Sequence, residues 1–168
     1  MNLHLRFFIF FGCCWLAFAI SGCVSVNIKP KPATRSNQYK LQDPDKPFVK
    51  LENEQTDQAW QNPRTGNTIA VLSECSENRD PSLTSLEGEV SQALTSPHSV
   101  QSTNTQFAER EALRSLIEGK MDGIPVKVDV LTFKKNACSY TLTYLGQAKG
   151  FDAERPVFER FLKGFVLP

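Results

Sequence analysis

Apolar positions along this chain change period several times, and each change marks an element. Ile69, Val71, Ser73 and Cys75 share one side of a two-residue alternation, which predicts a strand over 68–75. Ala59-Trp60 lies ahead of it across Asn62-Pro63-Arg64-Thr65-Gly66-Asn67. Pro, Gly and Asn there are turn chemistry, so the two arms read as a β-hairpin. A weak alternation from Phe48 to Glu52 predicts a strand before the hairpin. Leu83, Leu86, Val90, Ala93 and Leu94 then recur at helical spacing. Asp80-Pro81-Ser82 opens that helix, because Asp or Ser caps free amides and Pro suits the first turn. Gly88 weakens it by about 1 kcal/mol relative to Ala, so the helix relies on packing. Ser96-Pro97 ends it, and the Thr-rich stretch from Val100 to Phe107 reads as an edge strand.

Residues 109 to 120 fit two periods. Ala108, Ala112 and Leu116 suit a helix, whereas Leu113, Ser115, Ile117, Gly119 and Met121 suit one face of a strand. The next residues in the chain favour the strand. Asp122-Gly123 is a tight hairpin signal. Val126, Val128 and Val130 alternate after it, Lys134-Lys135-Asn136 makes a polar turn, and Cys138, Tyr140, Leu142 and Tyr144 alternate again. The three arms form a meander. Pro156 sits near the start of a closing helix whose stripe is Val157, Phe158, Phe161, Leu162 and Phe165. That stripe is expected to cover the open face of the sheet, with a partner-binding face as the alternative. The expected class is α+β: an antiparallel sheet of a hairpin plus a three-strand meander, packed by two helices.

The N-terminus obeys another rule. Met1 to Arg6 is short and positive, and Phe7 to Ile20 carries no charge. A run of about 14 residues suits the apolar core of a secretory signal. It falls short of the roughly 20 needed to span a bilayer. The run ends in Ile20-Ser21-Gly22-Cys23, which resembles the lipobox of bacterial lipoproteins. That resemblance implies cleavage before Cys23, which becomes the first residue, and a lipid (palmitate included) on its thiol. Val24, rather than Asp, comes after the cysteine, which by the same resemblance implies the outer membrane of a diderm cell. An ordinary secretory signal, or a short membrane anchor, are the other readings of this segment. Val24 to Pro47 then reads as a tether, with five basic and two acidic side chains and few large apolar ones. A flexible chain of that length has an end-to-end distance near ~27 Å. The division expected is a signal peptide over 1–22, a lipidated and disordered tether over 23–47, and a globular domain over 48–168.

This division changes the meaning of the five cysteines and of the charge. Cys13 and Cys14 lie in the signal and Cys23 is the lipid site, which leaves Cys75 and Cys138. In an oxidising compartment such a pair reads as a candidate disulfide, with two separate buried thiols as the alternative. The bridge would be worth roughly 4 kcal/mol by loop closure. Both cysteines share faces with apolar residues and lie at strand ends, a parity that permits them to meet. A metal centre is not expected, because two cysteines without a nearby His leave the ligand shell short. The signal carries one of the 19 basic side chains and none of the 18 acidic ones, so the remainder is formally neutral. That balance does not suit a nucleic-acid partner.

Catalytic chemistry is sparse. His98 is the one histidine after the signal, in Ser96-Pro97-His98-Ser99, and reads as an exposed loop residue. Glu87 and Glu89 point to different sides of a helix, while Glu109 and Glu111 share a face if their segment is a strand. Both pairs, and the Lys134-Lys135 turn pair, read as solvated surface. Tyr140 and Tyr144 read as core beneath the last helix, with a ligand groove as the alternative. No catalytic residue, cofactor or metal ligand is assigned.

The hairpin with Trp60 and Thr65-Gly66-Asn67, the meander with Asp122-Gly123 and Cys138-Ser139-Tyr140, and the final helix Phe158 to Phe165 together resemble small bacterial lipoproteins. More distantly they are similar to the Mog1/PsbP-like α/β sandwich. The resemblance implies a lipid-anchored envelope domain that binds or assists a larger complex, a prior from fold alone. The expected partners are a membrane, through the N-terminal lipid, and an envelope protein or component. An envelope hydrolase using surface carboxylates and a structural surface lipoprotein are the alternatives.

Overall fold

The computed structural model describes residues 34–168. The signal peptide, Cys23 and the tether through residue 33 lie outside the described residues. Among the described residues seven strands are formed: β1 (Val49–Leu51), β2 (Gln58–Gln61), β3 (Thr68–Cys75), β4 (Thr95–Phe107), β5 (Arg110–Met121), β6 (Ile124–Lys135) and β7 (Cys138–Gln147). Helix α1 (Leu83–Ser91) joins β3 to β4, and α2 (Phe151–Gly164) comes after β7. The sheet order is β1-β2-β3-β7-β6-β5-β4, and every neighbouring pair is antiparallel. The class is therefore α+β, as the patterns predict.

Residues 110–121 form a strand, so period two wins over period 3.6 there. The meander has four strands, not three, because β4 joins it through a turn at Ala108-Glu109. Three of its turns place both central residues at positive φ: Ala108 49° and Glu109 62°, Asp122 51° and Gly123 81°, Asn136 55° and Ala137 57°. That is the backbone twist two-residue hairpins prefer. Three boundaries move. Lys134 and Lys135 end β6, and the turn is Asn136-Ala137. Helix α1 stops at Ser91, capped at its start by Ser82 Oγ accepting from Ser85 N at 3.0 Å. Pro97 consequently lies inside β4, tolerated on an edge strand. Helix α2 begins at Phe151, ahead of Pro156.

Each sheet face is closed by a helix. On one, Val90 and Leu94 pack with Ile117, Val126, Val128 and Val130. On the other, Phe158, Phe161, Leu162 and Phe165 of α2 and its end meet Ile69, Val71, Phe133, Tyr140 and Tyr144. Phe133 stacks on Tyr140 at 4.9 Å.

The domain begins earlier than Phe48. Thr34 bridges to Cys75 and Lys40 to Val166. Tyr39 stacks on Phe165 at 5.1 Å, and Leu41 packs on the same core. Thus 34–47, which reads as tether in the sequence, is part of the packed unit. Its few apolar residues suffice because each enters a core that the sheet and α2 already form. Cys75 and Cys138 are register partners across β3 and β7 and are joined as a disulfide with Cα atoms 3.9 Å apart.

Candidate functional site

Alternation places Arg114 and Leu116 of β5 and Asp129 of β6 on the face that α2 packs against. Towards the free edge, a groove of about 230 Å³ opens between α2 and β4. Gln101, Thr103 and Thr105 of β4 form one wall, Arg155 of α2 the other, and Arg114, Leu116 and Asp129 the floor. The β4 residues project there because Gln101, Thr103 and Thr105 pair with Leu116, Arg114 and Ala112.

The floor is an ion network. The Asp129 side chain is 1% exposed. Arg114 donates to it through two nitrogens, Nε to Oδ1 at 2.9 Å and a terminal nitrogen to Oδ2 at 2.8 Å. Arg155 Nε adds a third bond, to Oδ2 at 2.8 Å. Arg114 also donates to both oxygens of Glu159, at 2.5 and 3.2 Å. Its hydrogen bonds to Asp129, together with those to Glu159, hold the guanidinium above its ordinary range despite burial. Two arginines balance two acids, so the groove is polar and neutral. The terminal nitrogens of Arg155 and the two threonine hydroxyls offer donors, and Gln101 offers both a donor and an acceptor.

Two further polar networks are structural. Asp57 accepts from Ser73 Oγ at 2.5 Å and from Tyr39 at 3.3 Å, with Arg35 Nε 3.5 Å away. Ser36 N donates to Ser73 Oγ at 2.7 Å. These bonds fasten the 34–47 segment. Burial first, and the Asp57 charge second, push the Tyr39 phenol up to about 12. At the other end, Glu154 accepts from Asn62 at 2.6 Å and from Asn67 at 3.0 Å. Tyr144 donates to the Phe151 carbonyl at 2.9 Å. The β2–β3 turn is thereby tied to the start of α2.

The residues singled out in the sequence do not converge. The His98 side chain is 65% exposed and 3.4 Å from Glu118. Glu109 sits in a turn, so it does not share a strand face with Glu111. Glu89 pairs with Arg79 at 2.9 Å. Tyr140 and Tyr144 are fully buried, in the core. Among the described residues no group of three metal-ligating side chains forms. Sequence reasoning misses Arg114, Asp129, Arg155 and Glu159. A signal exists: Leu131 and Phe133 make β6 apolar on the same face as Asp129, so the lone acid has to be buried and paired.

No family model matches the chain, and no curated protein matches it. Solved structures do. LpqN of Mycobacterium tuberculosis, described as involved in cell envelope biogenesis, superposes with a TM-score of 0.60 at 11% identity, over 83% of this chain and 88% of that one. The cyanobacterial PsbP protein CyanoP of Synechocystis sp. PCC 6803 superposes with 0.55 at 9% identity, over 89% of this chain and 99% of that one. At such identities the likeness is one of fold alone: the chain shares the α/β sandwich of PsbP-like proteins and distantly resembles them.

Proposed function

We propose that this chain is a cell-envelope protein, held to a membrane by a lipid on Cys23, whose domain binds an envelope protein or component and carries out no covalent chemistry. The observation that carries the reading is the groove between α2 and β4. Its one buried carboxylate has both oxygens taken by guanidinium groups. A carboxylate so engaged is a poor proton shuttle, since a general acid or base must reach the proton it transfers. Donors on Arg155 and the β4 threonines remain for a partner's polar groups. The likeness to LpqN, described as involved in cell envelope biogenesis, supports the compartment. The lipobox and the apolar run before it support the anchor and, through Val24, an outer membrane in a diderm cell.

Photo-cross-linking in intact cells tests the binding claim. A photoreactive residue at Thr103, in the groove, should give a discrete adduct. The same residue at Asn104, on the opposite face of β4, should not. Identical adducts from both positions, or none from Thr103, would overturn the assignment.

A further inference from the structure

We infer that β4 pairs with β4 of a second copy of this chain, antiparallel across a two-fold axis at Asn104, so that the two sheets become one. Three observations carry this. The first is the backbone. β4 is the last strand of the sheet, and among the described residues no strand or isolated bridge occupies its outer side. Of its 13 residues all but Phe107 are exposed. A free edge is a row of N–H donors and C=O acceptors at strand spacing, and the structure complementary to it is another extended chain.

The second observation is the contrast between the two edges of the sheet. β1 has 3 residues, and one of them is Lys50. Short edge strands and edge lysines are devices that block pairing with another chain. β4 carries no Lys, Arg, Asp or Glu. Its interruptions are Pro97 and the register shifts at Thr95/His98 and Ser99/Gln101, and none lies beyond Gln101. From Gln101 to Phe107 every residue holds an unbroken register with β5. That is about 24 Å of regular edge.

The third observation is that this stretch is its own complement. Asn104 is its midpoint. A two-fold axis there sets Gln101 opposite Phe107, Ser102 opposite Gln106, Thr103 opposite Thr105, and Asn104 opposite its own copy. Opposed residues fall on the same face of the joined sheet, because each pair differs by an even number of positions. Hydroxyls and amides meet, each able to donate and to accept, and no like charges are opposed. Moving the axis to Thr103 or Thr105 shortens the regular overlap, since one end then runs into the register shift or the turn at Ala108-Glu109. The contact is isologous and closes after two copies. It is also narrow: a strip ~24 Å long and ~10 Å deep on each copy amounts to roughly 500 Å². Stable complexes bury about 1,200 Å² or more, so this dimer is weak and exchanges with monomer.

The test uses the chain lacking residues 1–22 and carrying Cys23→Ser, so that neither a lipid nor a free thiol joins two copies. Sedimentation velocity is run from about 1 μM to about 1 mM, the span of weak association. The mass should rise from one chain to two. Asn104→Lys sets two like charges face to face across the axis and should stay monomeric throughout. Asn104→Glu should do the same. An equimolar mixture of the two variants should regain the dimer, which misfolded chains would not do. A wild-type monomer at every concentration would leave β4 to a strand of another protein and overturn the inference. A dimer that survives Asn104→Lys assigns the association to another surface and overturns it as well. In cells, a photoreactive residue at Thr103 or Asn104 would join the two copies as an adduct of twice the chain's mass. Such self-adducts are set aside when the groove is scored, so the dimer and the groove's partner stand or fall separately.

Discussion

Replacing Arg114 by Met should destabilise the domain far more than a surface change. Asp129 is 1% exposed and receives two bonds from Arg114 at 2.8–2.9 Å. Removing one partner of a buried pair typically costs about 3–5 kcal/mol, because the other charge is left without compensation. Here two facts pull towards the lower end. Arg155 still reaches Asp129 at 2.8 Å, and the Arg114 side chain is 27% exposed. The expectation is therefore about 3 kcal/mol, or a fall in Tm of roughly 10 °C for a domain of this size. Urea unfolding of the wild type, Arg114→Met, Asp129→Asn and the double variant forms the assay. The double variant should recover most of the loss, since an amide costs less to bury than an unpaired carboxylate. The reasoning is refuted if Arg114→Met costs under about 0.5 kcal/mol, the range of an ordinary surface change. It is equally refuted if the two substitutions simply add.

The same physics bears on the disulfide and on Tyr39. Replacing Cys75 and Cys138 by Ala should cost roughly 4 kcal/mol in equilibrium unfolding, from a sequence separation of 63 residues; an unchanged midpoint would mean that the bridge does not form. Tyr39 titrates at about 12 in the fold, against 10 for an unburied phenol. A raised folded value means that its stabilisation is complete below about pH 10 and is lost as pH rises towards 12. Tm should therefore fall across that window, and less steeply in Tyr39→Phe; parallel curves would contradict the assignment.

Periodicity makes most of the fold legible, and its failures have local causes. The turn at Ala108-Glu109 carries no Gly, Asn or Asp, the residues that tolerate positive φ. Its strain is held by ten register pairs of β4 on β5, a tertiary effect that no local signal announces. Pro97 suggests a helix end because proline breaks both helices and central strands; only the edge position of β4 admits it. The 34–47 segment looks like tether because its composition is polar. Tyr39 and Leu41 are nonetheless enough to seat it when Phe165 and Tyr140 wait beneath. The disulfide is readable from compartment and parity. The Arg114–Asp129–Arg155 network is not, because its members lie on three elements, and sequence spacing does not encode their meeting.

Metabolic labelling with a clickable palmitate analogue asks whether a lipid on Cys23 holds the domain at a membrane. The wild-type chain should label and fractionate with membranes, and Cys23→Ala should do neither. Unchanged labelling of Cys23→Ala, or an unlabelled wild-type chain, would refute the anchor.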